Sequence, residues 1–164
     1  MRAGAKVGVF KMKYLLGAAA AALLLAGPVA AQDYTMNPHA GTVRLAAGFT
    51  PDPYNVSVTA GGTIRASDRF SGCYGYISHA PDVRLHWSGG GNLPLIFSVS
   101  SSRDTTLVVN GPNGRWYCDD DSGEGTNPSL RFGSPMAGQY DVWIGSYGGD
   151  YVSATLSISE LYSN

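Results

Sequence analysis

From Thr42 onward the chain is built of short runs in which apolar and polar residues alternate, each run closed by Gly, Pro, Asn or Ser. Alternation with a period of two belongs to a strand with one covered face and one wetted face. Leu95, Phe97 and Val99 share one face, and Ile96, Ser98 and Ser100 share the other. Between Gln139 and Ser146, Tyr140, Val142 and Ile144 point one way while Asp141 and Trp143 point the other. In the last run Val152, Ala154, Leu156 and Ile158 alternate with Ser153, Thr155, Ser157 and Ser159. The pattern predicts strands over Thr42–Ala46, Tyr54–Thr59, Thr63–Ala66, Tyr74–Ser78, Val83–Trp87, Leu95–Ser100, Thr105–Asn110, Arg115–Cys118, Ser129–Phe132, Gln139–Ser146 and Val152–Ser159. Eight or nine of these are expected in the fold. Helix signals are nearly absent after residue 31.

The turns between the runs have a chemical basis. Asn110-Gly111-Pro112-Asn113-Gly114 supplies residues that tolerate positive φ, so it closes a hairpin. Ala60-Gly61-Gly62 does the same between two early strands, and Ser88–Asn92 reads as a flexible link. One-sided alternation implies antiparallel sheets, and two such sheets stacked face to face make a sandwich. The fold expected is all-β, an antiparallel β-sandwich of jelly-roll type, with 42–164 as a single domain and 32–41 as a flexible N-terminal arm.

Residues 1–31 read differently. Lys11 and Lys13 precede an apolar run, which ends at Gly27-Pro28 and Val29-Ala30-Ala31. That is the order of a cleavable signal peptide. The apolar run, roughly a dozen residues, is short of the ~20 needed to span a bilayer. Cleavage after Ala31 sends the rest to the periplasm or outside the cell, with no membrane insertion expected of it. It also removes Arg2, Lys6 and all other lysines, leaving seven arginines against twelve carboxylates. An acidic chain of this kind is not expected to bind nucleic acid, whose phosphates demand a basic patch. Export also favours disulfide chemistry, and Cys73 and Cys118 allow a single intramolecular pairing. Closing a loop of that length stabilises a fold by roughly 4 kcal/mol.

The densest chemistry lies in Asp104–Gly123. Asp119, Asp120 and Asp121 follow the hairpin, beside Ser122, Gly123, Glu124 and Asn127. Calcium takes six to eight oxygens, and Asp, Asn and loop carbonyls supply them. Asp104, at the start of the paired strand, reaches the same end of the hairpin. Asp104, Asp119, Asp120, Asp121 and Asn127 are therefore the candidate calcium ligands. The competing readings are a solvated acidic turn, or carboxylates paired with Arg103, Arg115 or Arg131. Three tryptophans and nine tyrosines follow the leader. Trp116, Trp143 and Tyr147 are candidates for an aromatic binding face, set against the tendency of aromatics to fill sandwich cores.

Asp121-Ser122-Gly123 has the local look of a serine-protease nucleophile, but Glu124 replaces the expected glycine. His39, His79 and His86 sit in no recognisable motif, whereas a triad needs a positioned histidine and acid. Ser122 reads as a loop residue, and no catalytic residue is assigned.

The order of elements across Asp104–Leu161 resembles the bacterial pre-peptidase C-terminal domain, a β-sandwich found beside secreted peptidases. The resemblance rests on Asp104, Leu107-Val108-Val109, Asn113-Gly114, Asp119-Asp120-Asp121, Pro128–Phe132, Ala137-Gly138-Gln139-Tyr140, Val142–Tyr147 and Ala154-Thr155-Leu156-Ser157-Ile158. It implies a non-catalytic accessory or binding module acting on a protein or polysaccharide of the envelope or outside the cell, to which the residues of the Asp119–Asn127 loop add calcium as a candidate stabilising ion. The alternatives are a small secreted hydrolase or peptidase-associated protein, and a structural envelope protein that assembles through sheet edges.

Overall fold

The computed structural model describes residues 32–164, and the signal peptide expected over 1–31 lies outside the described residues. All eleven runs form strands, more than the eight or nine expected: β1 Thr42–Leu45, β2 Tyr54–Ala60, β3 Ile64–Arg65, β4 Tyr76–Ile77, β5 Val83–Trp87, β6 Leu95–Ser100, β7 Thr105–Asn110, β8 Trp116–Asp119, β9 Ser129–Phe132, β10 Gly138–Ser146 and β11 Val152–Ser159. β3 and β4 are shorter than their alternation suggests. A 3₁₀ turn at Ala66–Asp68 and positive φ at Gly72 and Gly75 end the extended backbone between them.

Two sheets stack. One runs β2-β11-β6-β9, and the other β1-β5-β10-β4-β3 with β7 on the far side of β10 and β8 beyond it. Every pairing is antiparallel except β1 with β5. The inward residues of β5, β6, β7, β10 and β11 make the main core, with Leu85, Phe97, Leu107, Tyr140, Ile144 and Leu156 among its members. These are the apolar halves of the alternating runs, so the binary pattern and the core coincide.

β10 departs from one-sided alternation. Its second face is buried as well, because the segment around β3 and β4 and the start of β8 fold over it. Ile64, Ala66, Cys73, Ile77, Val108 and Trp143 form a second core there, with Phe70, Trp116 and Cys118 packed against it. The Cys73–Cys118 disulfide forms within this second core, its Cα atoms 5.6 Å apart.

Gly61 and Gly62 let the chain pass from one sheet to the other. Gly61 has φ +115° and donates its N–H to Ile144 O. A Cβ on Gly62 would lie 2.1 Å from the Ile77 carbonyl, so no larger residue fits without moving backbone.

Two segments outside the strands are held by hydrogen bonds. The arm expected to be flexible is pinned: Gln32 Nε2 donates to Ser78 O, Asp33 N to His79 O, His39 N to Pro81 O and Ala40 N to Asp82 O. Arg84 adds bonds to the carbonyls of Tyr34 and Met36. At the other end, Glu160–Asn164 folds back over the outward face of the four-stranded sheet. Asn164 donates from its backbone to Ser98 Oγ and from its side chain to Ser157 Oγ, while Ser163 pairs with Ser129.

Candidate functional site

The acidic end of the β7–β8 hairpin forms much as the sequence suggests. Asp119 pairs with Leu107, which carries Asp120 and Asp121 on toward Asp104. Desolvation, followed by the charges of Asp121 and Asp120, pushes the Asp104 carboxyl above its ordinary pKa. Asp120 is raised by desolvation and then by Asp121 and Asp119. Asp104 Oδ1 is buried without a hydrogen-bond partner.

Two of the five candidate ligands have other employment. The Asp119 carboxylate accepts Ser122 N–H, Ser122 Oγ–H and Ser129 N–H, at 3.0, 2.6 and 2.9 Å. It shapes the loop rather than facing an open site. Asn127 is buried, its Oδ1 accepting from Thr105 Oγ1 and its Nδ2 donating to the carbonyls of Ser101 and Glu124. Among the described residues, no group of three or more His, Cys, Asp or Glu is arranged to hold a metal ion. A cation at this end would have to be met mainly by Asp104, Asp120, Asp121, loop carbonyls and water.

The aromatic face does not assemble. Trp143 is fully buried in the second core, contrary to the outward position expected for it. The residues that cover it, around β3, β4 and the disulfide, are too short and irregular for their alternation to announce a second layer. Trp116 is half-buried, stacked on Phe70 with centroids 4.2 Å apart, and 5.2 Å from Trp143. Tyr147 is exposed, but it follows β10 and donates its N–H to Asp104 O. Trp116 pairs with Asn110 at the opposite end of β7, roughly 20 Å away at strand rise.

A larger concavity lies elsewhere, where no motif pointed. A groove of about 810 Å³ is lined by His39, Ala40, Ser78 and Asp82. Ser57, Val58 and Thr59 of β2, Ser153–Thr155 of β11, Ser100 and Tyr151 line it as well. The pairing of Ser57 with Thr155, Thr155 with Ser100 and Thr59 with Ser153 sets these hydroxyl residues in rows across the sheet. The Glu160–Asn164 segment covers the neighbouring rows of the same face, so the groove is the part left open.

Asp82 is the charged group in its wall. Oδ2 accepts the Ile144 N–H at 2.7 Å, and Oδ1 faces His39 Nδ1 at 3.5 Å. The side chains are 3% and 58% exposed, respectively. Burial pushes the Asp82 carboxyl up to about 7, outweighing the Ile144 N–H and the His39 ring, which act downward. Sequence reasoning missed this pair because His39 lies in the presumed arm and Asp82 in a loop. The signal present in the chain was the run of outward Ser and Thr on β2 and β11, which an ordinary wetted face also explains.

No protein-family model matches the chain, and no curated protein matches it significantly. Among solved structures it is similar to the pre-peptidase C-terminal domain of a collagenase from Bacillus anthracis. Identity there is 11% and the TM-score 0.41, over 76% of this chain and 100% of that one. It is also similar to a periplasmic inhibitor of g-type lysozyme from Aeromonas hydrophila, at 12% identity and a TM-score of 0.38, over 72% of this chain and 96% of that one.

Proposed function

We propose that this chain is an exported, non-catalytic binding or accessory module whose target is a protein or polysaccharide of the envelope or the extracellular space. The observation that carries the reading is the groove along β2. It offers hydroxyls in rows, the exposed ring of Tyr151 and one buried carboxylate. Sites with few, well-placed polar groups on a rigid frame are suited to recognition. The disulfide fits an oxidising compartment.

The test is biolayer interferometry of residues 32–164 against isolated envelope polysaccharide and against envelope protein fractions. Saturable binding that Thr155→Arg abolishes is expected. No saturable binding to either overturns the proposal. Calcium enters the proposal through Asp104, Asp120 and Asp121. A rise in melting midpoint with millimolar Ca²⁺ over EDTA, removed by Asp120→Asn with Asp121→Asn, supports it, and no rise retires it.

One observation favours a second reading, a small hydrolase. A buried acid facing Nδ1 of an exposed imidazole, with serine hydroxyls in the same groove, supports this reading, because a serine hydrolase pairs an acid and a histidine in that order. Labelling by a fluorophosphonate that is lost in His39→Ala decides for it. Ser122 is expected to stay unlabelled, because its hydroxyl donates to Asp119.

A further inference from the structure

β2 is the outer strand of its sheet, paired with β11 and with no other described strand. Its seven residues, Tyr54–Ala60, contain no charge and no proline. The other outer strands among those described are protected differently. β1, β8 and β9 are four residues long and carry Arg44, Asp119 and Arg131, and β3 is two residues long with Arg65. A bare edge is a template for another strand, and proteins ordinarily blunt it by shortness or charge. β2 has neither protection, and its residues Ser57, Val58 and Thr59 line the same groove as His39 and Asp82.

We propose that β2 receives an extended peptide of a partner protein as an added strand, with a lysine or arginine of that peptide lying in the groove against Asp82. This deepens the binding-module reading and rests on it. Main-chain hydrogen bonds to an edge supply affinity, and flanking pockets that take alternate side chains supply specificity. The cation follows from Asp82. Its carboxylate is almost wholly buried, yet the basic side chain beside it is a largely exposed imidazole 3.5 Å away. A partner ammonium or guanidinium reaching Oδ1 makes a shorter, better-shielded pair. The excess of carboxylates over arginines after residue 31 acts in the same direction at long range. The adjoining rows of the face already accept polypeptide, because Glu160–Asn164 lies on them as irregular chain, donating amide hydrogens to the hydroxyls of Ser98, Ser157 and Ser159.

The test is selection of phage-displayed random dodecamers on immobilised residues 32–164, followed by affinity and amide-exchange measurements with the enriched peptides. Lysine or arginine among β-forming residues is expected in them. Binding should weaken at least about tenfold in Asp82→Asn, and as much in Ser57→Lys with Thr59→Lys. Alternate amides of β2 should exchange more slowly in the complex, a change that a ligand resting on the sheet face alone does not produce. The two lysines sit at exposed positions, and unchanged melting of that variant confirms that it folds. Peptides or polysaccharide that bind both variants equally, without β2 protection, overturn the edge assignment and leave the binding module standing. Protection of β2 that grows with protein concentration without peptide overturns it in favour of a second copy of this chain. Failure to enrich any peptide on the wild type over the double-lysine variant overturns the edge assignment, and the binding-module reading falls only if the polysaccharide and envelope-protein measurements also fail.

Discussion

Asp82 links the groove to the stability of the sandwich. Unfolded, its carboxyl ionises near 3.8, and in the fold burial moves it to about 7. Between those values the native state holds a proton that the unfolded chain has released. The contribution of Asp82 is therefore greatest below about pH 4 and is lost as the pH climbs through about 7. We expect urea midpoints of the wild type to carry this downward slope and those of Asp82→Asn to lack it. Equal slopes in the two proteins would show that the carboxyl titrates normally. At the same scale, Trp143 and Tyr147 separate a core residue from a surface one. Trp143→Ala is expected to cost about 3–5 kcal/mol by opening a cavity beneath the disulfide. Tyr147→Ala should stay within about 0.5 kcal/mol, since the ring is exposed. Chemical denaturation of both variants reads the difference.

At the scale of elements, the β7–β8 hairpin shows how like charges shape a loop. Asp119 is tied into the backbone, whereas Asp104, Asp120 and Asp121 face one another. Removing one of those charges by Asp120→Asn should raise the melting midpoint slightly in EDTA at neutral pH. The gain should be below about 1 kcal/mol, because water still reaches this end of the hairpin and screens the repulsion. A lower midpoint would mean that the carboxylate is doing structural work. The hairpin, its acidic end and the positions of the strands were legible in the sequence, because alternation and turn chemistry are local properties, although two or three of the eleven runs were expected to drop out. The second core was not. Trp143 alternates faultlessly with Val142 and Ile144, and only the irregular chain from β3 to β4 makes its outward face an inward one. The groove was illegible for a similar reason. His39 and Asp82 meet only because 32–41 docks beside β5, and the outward hydroxyls of β2 and β11 look the same whether water or a partner covers them.

For the whole molecule, the layers are fastened unequally. The side bearing β3, β4 and β8 has its own apolar core and a covalent bond, while the side bearing β2 presents an unpaired edge. Reducing Cys73–Cys118 should lower stability by roughly 4 kcal/mol, measured as paired denaturation curves with and without dithiothreitol. A much smaller loss would mean that the reduced, unfolded chain keeps the second core partly collapsed. The same bond sets how far the molecule lengthens under tension. Cys73 and Cys118 are 45 residues apart in sequence, so pulling on the two ends bypasses everything between them. At 3.3–3.6 Å per residue that withholds roughly 150 Å of extension. The oxidised protein therefore gives up only part of its length even after its strands give way, and a single-molecule stretching trace should lengthen by that amount once the bond is reduced.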